Sequence, residues 1–163
     1  MGKTKVTVFV SYARANKDLA PRFLKHFKQQ TDASKAYRYV FWQDGDILIG
    51  ENWHEEIQRA LESCNLGLLL ISPAFLGSQY IAKKELPRFV GHRATPVIPV
   101  MLQPIDPELH DLKGLQHTQI FRLDRKSFQS PKAFADCVGT RRDEFALELF
   151  RRVDAKLGQL FAG

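Results

Sequence analysis

Residues 66–73 read Leu66-Gly67-Leu68-Leu69-Leu70-Ile71-Ser72-Pro73. The first six form a continuous apolar run, which is typical of a strand covered on both faces in a parallel sheet. Ser72-Pro73 is a helix start signal, because a serine hydroxyl caps backbone N–H groups and proline fits the first helical position. A buried strand that leads directly into a helix is the repeating unit of an α/β fold.

The same alternation continues on both sides of this run. Four further β-branched or aromatic segments are predicted to be strands: Val6–Tyr12, Tyr37–Trp42, Pro96–Leu102 and Thr118–Leu123. Helical spacing of apolar residues predicts helices from a cap at Asn16 to about Gln29, after Trp53, over about Gln79–His92 and over about 140–160. Because parallel strands need helical crossovers, we predict a flavodoxin-like, doubly wound α/β sheet of five parallel strands, in the order 2-1-3-4-5, with helices on both faces.

The length and composition predict one domain. With 163 residues, of which 44% are hydrophobic, the chain can build one full core, here expected over about 5–125 with a C-terminal helix after it. The chain ends on a helical pattern, which leaves open that it is a piece of a longer protein with other domains. The net charge of +6 fits either attraction of an anionic ligand or simple solubility.

The sequence also argues against an oxidising compartment, a membrane span, nucleic-acid binding and a metal site. Cys64 and Cys137 are far apart and read as two buried thiols in a reducing compartment. No signal peptide is visible and no apolar run is long enough to span a bilayer, so we predict a cytoplasmic protein without a membrane partner. No basic run with interleaved aromatic residues indicates nucleic-acid binding. The five histidines lack paired ligand spacing, so no metal site is expected.

Ligands of doubly wound sheets bind at the carboxyl ends of the strands, and the motifs found there resemble one family. They are Val8–Tyr12, Phe41–Asp44, Gly50–Trp53, Ile57–Cys64, Leu68–Pro73, Phe75–Tyr80, Glu85-Leu86 and Val97–Val100. In order and spacing these motifs resemble the Toll/interleukin-1 receptor (TIR) domain family. Ser78–Ile81 and Glu85–Arg88 are similar to its bacterial members.

The resemblance implies two alternative activities. Many TIR domains are hydrolases that cleave the nicotinamide–ribose bond of NAD+ with a glutamate in the third helical region, and bacterial members often serve in antiviral defence. Other members are signalling adaptors that only pair with one another. The first alternative makes NAD+ the substrate, requires no cofactor and assigns the catalytic role to Glu85. A sensor that binds a nucleotide without turnover is a third class.

The residues around Glu85 support this assignment in part. Ile81, Glu85 and Phe89 are four apart and therefore share one helical ridge, which places a carboxylate between two apolar side chains. A position at the rim of that ridge, paired with Lys84 or Arg88, is the structural alternative. Pro87 cannot donate a backbone hydrogen bond and is expected to distort the helix next to Glu85.

Five further residues are candidates for binding the substrate: Tyr12, Arg14, Asp44, Ser72 and Tyr80. The Tyr12 ring could stack on a base and Arg14 could contact a phosphate, while a core tyrosine and a solvated arginine are the alternative. Asp44 precedes a glycine and fits a turn better than a ribose contact. Ser72 fits the role of a helix cap better than that of a ligand contact, although it follows the third strand and so lies beside the expected cleft. Tyr80 occupies roughly the place of the family's tryptophan, and the spacing from Tyr80 to Glu85 is one residue longer than in many plant or animal members of the family.

Two surface features complete the sequence picture. Ile47, Leu48, Ile49 and Gly50 form an apolar loop segment with a flexible glycine, and the family often uses this loop for homotypic self-association. Lys83, Lys84, Arg88 and Arg93 form a basic cluster, which is either a solvated helix face or an attractor for a pyrophosphate.

Overall fold

The computed structural model describes residues 2–43, 53–91 and 94–162, and of Trp53 it describes only the backbone. Its strands are β1 (Thr4–Ser11), β2 (Tyr37–Trp42), β3 (Leu66–Ile71) and β4 (Val97–Met101). Its α-helices are α1 (Leu19–Asp32), α2 (Trp53–Ser63), α3 (Pro73–Gly77) and α4 (Thr140–Ala162). Short 3₁₀ helices in the described residues cover Arg14–Asn16, Leu86–Arg88, Leu115–His117 and Phe134–Asp136.

The described sheet has four strands in the order β2-β1-β3-β4, and all neighbouring strands are parallel. The predicted α/β class, the parallel pairing and the order of these four strands are therefore confirmed. The order reverses between β1 and β3, and the carboxyl ends of strands beside such a reversal form the crevice where ligands of doubly wound folds bind.

The predicted fifth strand is wrong. Residues 118–123 join the sheet only through a single parallel bridge between Val100 and Phe121. The Phe121 N–H donates to the Pro99 carbonyl at 2.8 Å, and the Met101 N–H donates to the Phe121 carbonyl at 2.9 Å. The nitrogen of Pro99 faces the same side as its carbonyl but carries no hydrogen, so it cannot donate the bond that would extend the pairing.

The two faces of the sheet bury different helices. Side chains alternate along a strand, so Val6, Val8 and Val10 lie on the face covered by α1 and α4, together with the rings of Phe23 and Phe145. The opposite face carries Phe9, Leu69 and Ile71, which pack against α2 and the segment 81–89. Both faces are covered by helices, as predicted, and Ser11 has the parity of the Phe9 face.

One predicted helix cap is corrected, and one predicted helical stretch is distorted. Asn16 does not cap α1, which begins at Leu19; it ends the short 3₁₀ helix, where its side chain is buried. The helical stretch predicted over about Gln79–His92 is a π-helix at Ile81–Glu85 followed by a 3₁₀ helix at Leu86–Arg88, and His92 lies outside the described residues; the distortion expected beside Pro87 is confirmed. The geometry changes at this point because Pro87 cannot donate to the Lys83 carbonyl as an α-helix would require.

Both cysteines are buried and unpaired, as predicted. The Cys64 thiol donates to the Leu61 carbonyl at 3.3 Å, and the Cys137 thiol donates to the Ala133 carbonyl at 3.5 Å. Burial is the largest cause that raises the pKa of both thiols, which lowers the fraction of reactive thiolate.

We therefore expect both thiols to resist alkylation by iodoacetamide in the folded protein at neutral pH. After unfolding in guanidinium, both thiols lose their burial and should react at the rate of free cysteine. Mass spectrometry of the alkylated protein measures this directly. Fast modification of either thiol under native conditions would contradict its burial.

Candidate functional site

Glu85 lies at the carboxyl end of β1, although it is 74 residues from Ser11, the last residue of that strand. Only 4% of its surface is exposed, and Ile81 and Phe89, four residues to either side, are buried with it. The Ser11 hydroxyl donates a hydrogen bond of 2.6 Å to Glu85 Oε1. The carboxylate therefore sits where the strand order reverses, in the crevice that the fold offers to a ligand.

The wide π turn is what presents Glu85 to the strand. It is closed by the Leu86 N–H, which donates to the Ile81 carbonyl five residues back. The following 3₁₀ turn closes with the Phe89 N–H bound to the Leu86 carbonyl at 2.9 Å. Single π turns are rare and occur frequently at functional sites, so this local geometry supports a role for Glu85 beyond packing.

The hydrogen bond from Ser11 orients one oxygen of the Glu85 side chain. An ionised carboxylate loses several kcal/mol of hydration on burial, and hydrogen bonds to its oxygens recover part of that loss. Acidic groups held in such surroundings concentrate at functional sites, where a fixed negative charge is worth more than it is in water. The described geometry suits stabilisation of a nearby positive charge.

A second buried polar chain joins the ends of three strand segments. Ser72, directly after β3, accepts a bond from the Phe75 N–H at 3.0 Å and donates to Asn16 Oδ1 at 2.6 Å. The Asn16 amide in turn donates to Gln103 Oε1, beyond β4, at 2.9 Å. The predicted role of Ser72 as a helix cap is confirmed, and this chain holds the loops after β1, β3 and β4 together.

The other predicted binding residues are distributed as follows. Tyr12 is half-buried and packs against the core of the α1/α4 face, whereas Glu85 lies on the opposite face. Arg14 is exposed in the first 3₁₀ helix, and Tyr80 is half-buried against the core on the Glu85 side. Asp44 and the loop residues Ile47, Leu48, Ile49 and Gly50 lie outside the described residues. The binding roles of these residues stay predictions.

The sequence did not indicate that Ser11, Asn16 and Gln103 form the buried hydrogen bonds around the candidate site. A signal existed for Ser11, because strand alternation places it on the same face as Phe9 and therefore toward the segment that carries Glu85. No comparable signal existed for Asn16 and Gln103, whose contact depends on two loops meeting beyond the sheet.

A large cavity of about 920 Å³ lies elsewhere, along β4 and α4. Its lining includes Val97, Phe121 and Arg152 and none of the predicted site residues. It runs beside the edge strand, whereas ligands of this fold class enter at the carboxyl ends of the strands. We therefore place the candidate site at Glu85.

Among the residues that the structure describes, no group of three or more His, Cys, Asp or Glu side chains is arranged to hold a metal ion. No helix within 2–43, 53–91 and 94–162 is both long and apolar enough to cross a membrane.

A parallel sheet in the order β2-β1-β3-β4 with helices on both faces is a doubly wound α/β domain, and here a buried acid lies at the reversal of strand order. The family model of the TIR domain matches residues 8–135 of the chain. The chain belongs to the TIR domain family. No curated protein matches it.

Ser11→Ala tests whether the Glu85 carboxylate depends on its buried donor. We expect the free energy of unfolding to fall by about 1–3 kcal/mol, because a buried carboxylate oxygen loses the hydrogen bond that the Ser11 hydroxyl donates. Urea titration measures the loss. In Ser63→Ala, which removes an exposed helix hydroxyl, we expect a change within about 0.5 kcal/mol. Equal effects of the two substitutions would refute the special role of Ser11.

Proposed function

We propose that this domain is an NAD+ glycohydrolase that uses Glu85 as its essential carboxylate and yields nicotinamide plus ADP-ribose or a cyclic isomer. The observation that carries the proposal is the burial of Glu85 at the carboxyl end of β1, with its orientation fixed by Ser11. Family membership supports it further, because TIR domains include NAD+ hydrolases.

The proposed chemistry needs only one carboxylate. When the bond between the ribose carbon and the nicotinamide nitrogen breaks, the bonding electrons move to the pyridinium ring and nicotinamide leaves neutral. Protonation by a general acid is therefore unnecessary. The ribose becomes an oxocarbenium-like cation, which a fixed negative charge stabilises. Water then attacks the cation and releases a proton, or an adenine nitrogen attacks it and closes a cyclic product.

The rival function is a non-catalytic adaptor that pairs with other TIR domains. The observation that favours it is the same near-complete burial, since a carboxylate with 4% exposure in a single chain is hard for a substrate to reach. We reconcile the two by proposing that self-association through the loop that contains Ile47, Leu48, Ile49 and Gly50 opens and completes the site. The resemblance to bacterial members supports a role in antiviral defence.

The test is a concentration series of the protein with NAD+. We expect nicotinamide release per protein molecule to rise steeply with concentration or on artificial clustering, because assembly is proposed to complete the site. An adaptor would give no nicotinamide at any concentration. A sensor would give ligand-dependent melting without product.

A further inference from the structure

A small cavity lies on the outer side of the segment that carries Glu85. Its volume is about 500 Å³, and its walls are α2 and the segment 83–88. Small-molecule sites typically enclose about 300–1,000 Å³, so the cavity is large enough for a compact ligand. The three basic side chains in its lining are exposed, whereas Glu85 itself is buried and faces Ser11.

The cavity carries an excess of positive charge. Lys83, Lys84 and Arg88 line it, and Glu62 is the one acidic side chain among the described residues of its lining. Within the described residues, none of these three cations forms a salt bridge. Arg59 of the adjoining α2 is paired instead, at 2.7 Å from Glu56.

Arg88 is already positioned for an anion. Its Nη2 donates to the Glu62 carbonyl near the end of α2 at 3.2 Å, which holds the guanidinium group at the cavity wall. A guanidinium group has five N–H donors, so this bond leaves others for a ligand oxygen. Its planar fork matches a phosphate group, and the two lysines add mobile point charges.

We propose that this cavity binds a small ligand with a diphosphate group, held by Arg88 together with Lys83 and Lys84. The cation count and the concave shape favour a compact polyanion over an extended acidic chain. Such a ligand would join α2 to the segment 83–88 and thereby stabilise the folded state by mass action. The site is distinct from Glu85 and does not depend on NAD+ turnover.

Calorimetric titration with sodium pyrophosphate, at constant ionic strength, tests the proposal. We expect saturable binding at one site per chain, at least about tenfold weaker in Arg88→Gln and in Lys83→Gln/Lys84→Gln, since each loses charge-assisted hydrogen bonds. The control Lys17→Gln/Lys25→Gln removes two exposed charges from around α1 and should bind as wild type. Thermal melting should show the same ranking.

The outcomes separate the alternatives. Absence of saturable binding, or equal weakening in the control, would overturn the site and leave only general charge attraction. ADP tested beside pyrophosphate shows whether the ligand is a free diphosphate or a nucleotide, and saturable binding of either supports the site. Glu85→Gln should bind pyrophosphate as wild type does, so failure of the enzymatic proposal would leave this test unaffected.

Discussion

Glu85→Gln is expected to lower nicotinamide release by about 10³-fold or more, the scale of losing the main electrostatic stabiliser of a transition state. The amide has nearly the shape of the carboxylate, and its oxygen can still accept the Ser11 hydrogen bond. It carries no charge to stabilise a ribosyl cation. The substitution therefore separates the charge of the side chain from its shape.

The same variant should remain folded, because the amide keeps the shape of the side chain and can still accept the buried hydrogen bond from Ser11. Thermal melting beside the activity assay measures this. Glu108→Gln, which neutralises an exposed loop acid, is the matched control and should change neither property. A variant at Glu85 that retains turnover would remove the catalytic assignment.

Gly67→Ala is expected to destabilise the fold by about 1–3 kcal/mol through overpacking. A Cβ at Gly67 would lie 2.4 Å from Phe89 Cε1 and 2.7 Å from its Cδ1. The ring of Phe89 is buried and also packs against Phe9, with ring centroids 6.1 Å apart, so it has little room to move. Because Phe89 closes the turn after Glu85, activity should fall with stability.

Gly158→Ala is the control for this substitution. Among the described residues, no atom outside the adjoining backbone of α4 lies within 4 Å of a Cβ at that position, and Gly158 is exposed. We expect a gain of about 0.5–1 kcal/mol, since alanine favours a helix over glycine. Combining Gly67→Ala with Phe89→Leu should recover part of the loss, as expected for two residues in contact. Purely additive losses would contradict the close approach of Gly67 and Phe89.

The sheet was predictable because its signal is local. The apolar run at Leu66–Ile71 and the β-branched run before Ser11 indicate buried parallel strands without knowledge of their neighbours. The fifth strand was overestimated because a strand-like composition at 118–123 does not reveal the pairing limit that Pro99 sets across the sheet. Pro99 limits the pairing only because its nitrogen lies on the edge of β4 that faces residues 118–123.

The candidate site was predictable only in part. Spacing alone placed Glu85 between Ile81 and Phe89, and all three residues are buried. The bond to Ser11 spans 74 positions of sequence, and periodicity does not encode a contact of that range. Tyr12 illustrates the limit, because its place after β1 suggested the site while alternation directs it to the other face.

The most direct test of the account is a time course of nicotinamide release from NAD+, followed by proton NMR, with clustered wild-type protein beside clustered Glu85→Gln at equal concentration. Release by the wild type and a rate reduced to near background in the variant is the predicted result. Equal release by both proteins would show that this buried acid is not the essential carboxylate, and absence of release from both would leave a non-catalytic adaptor or sensor.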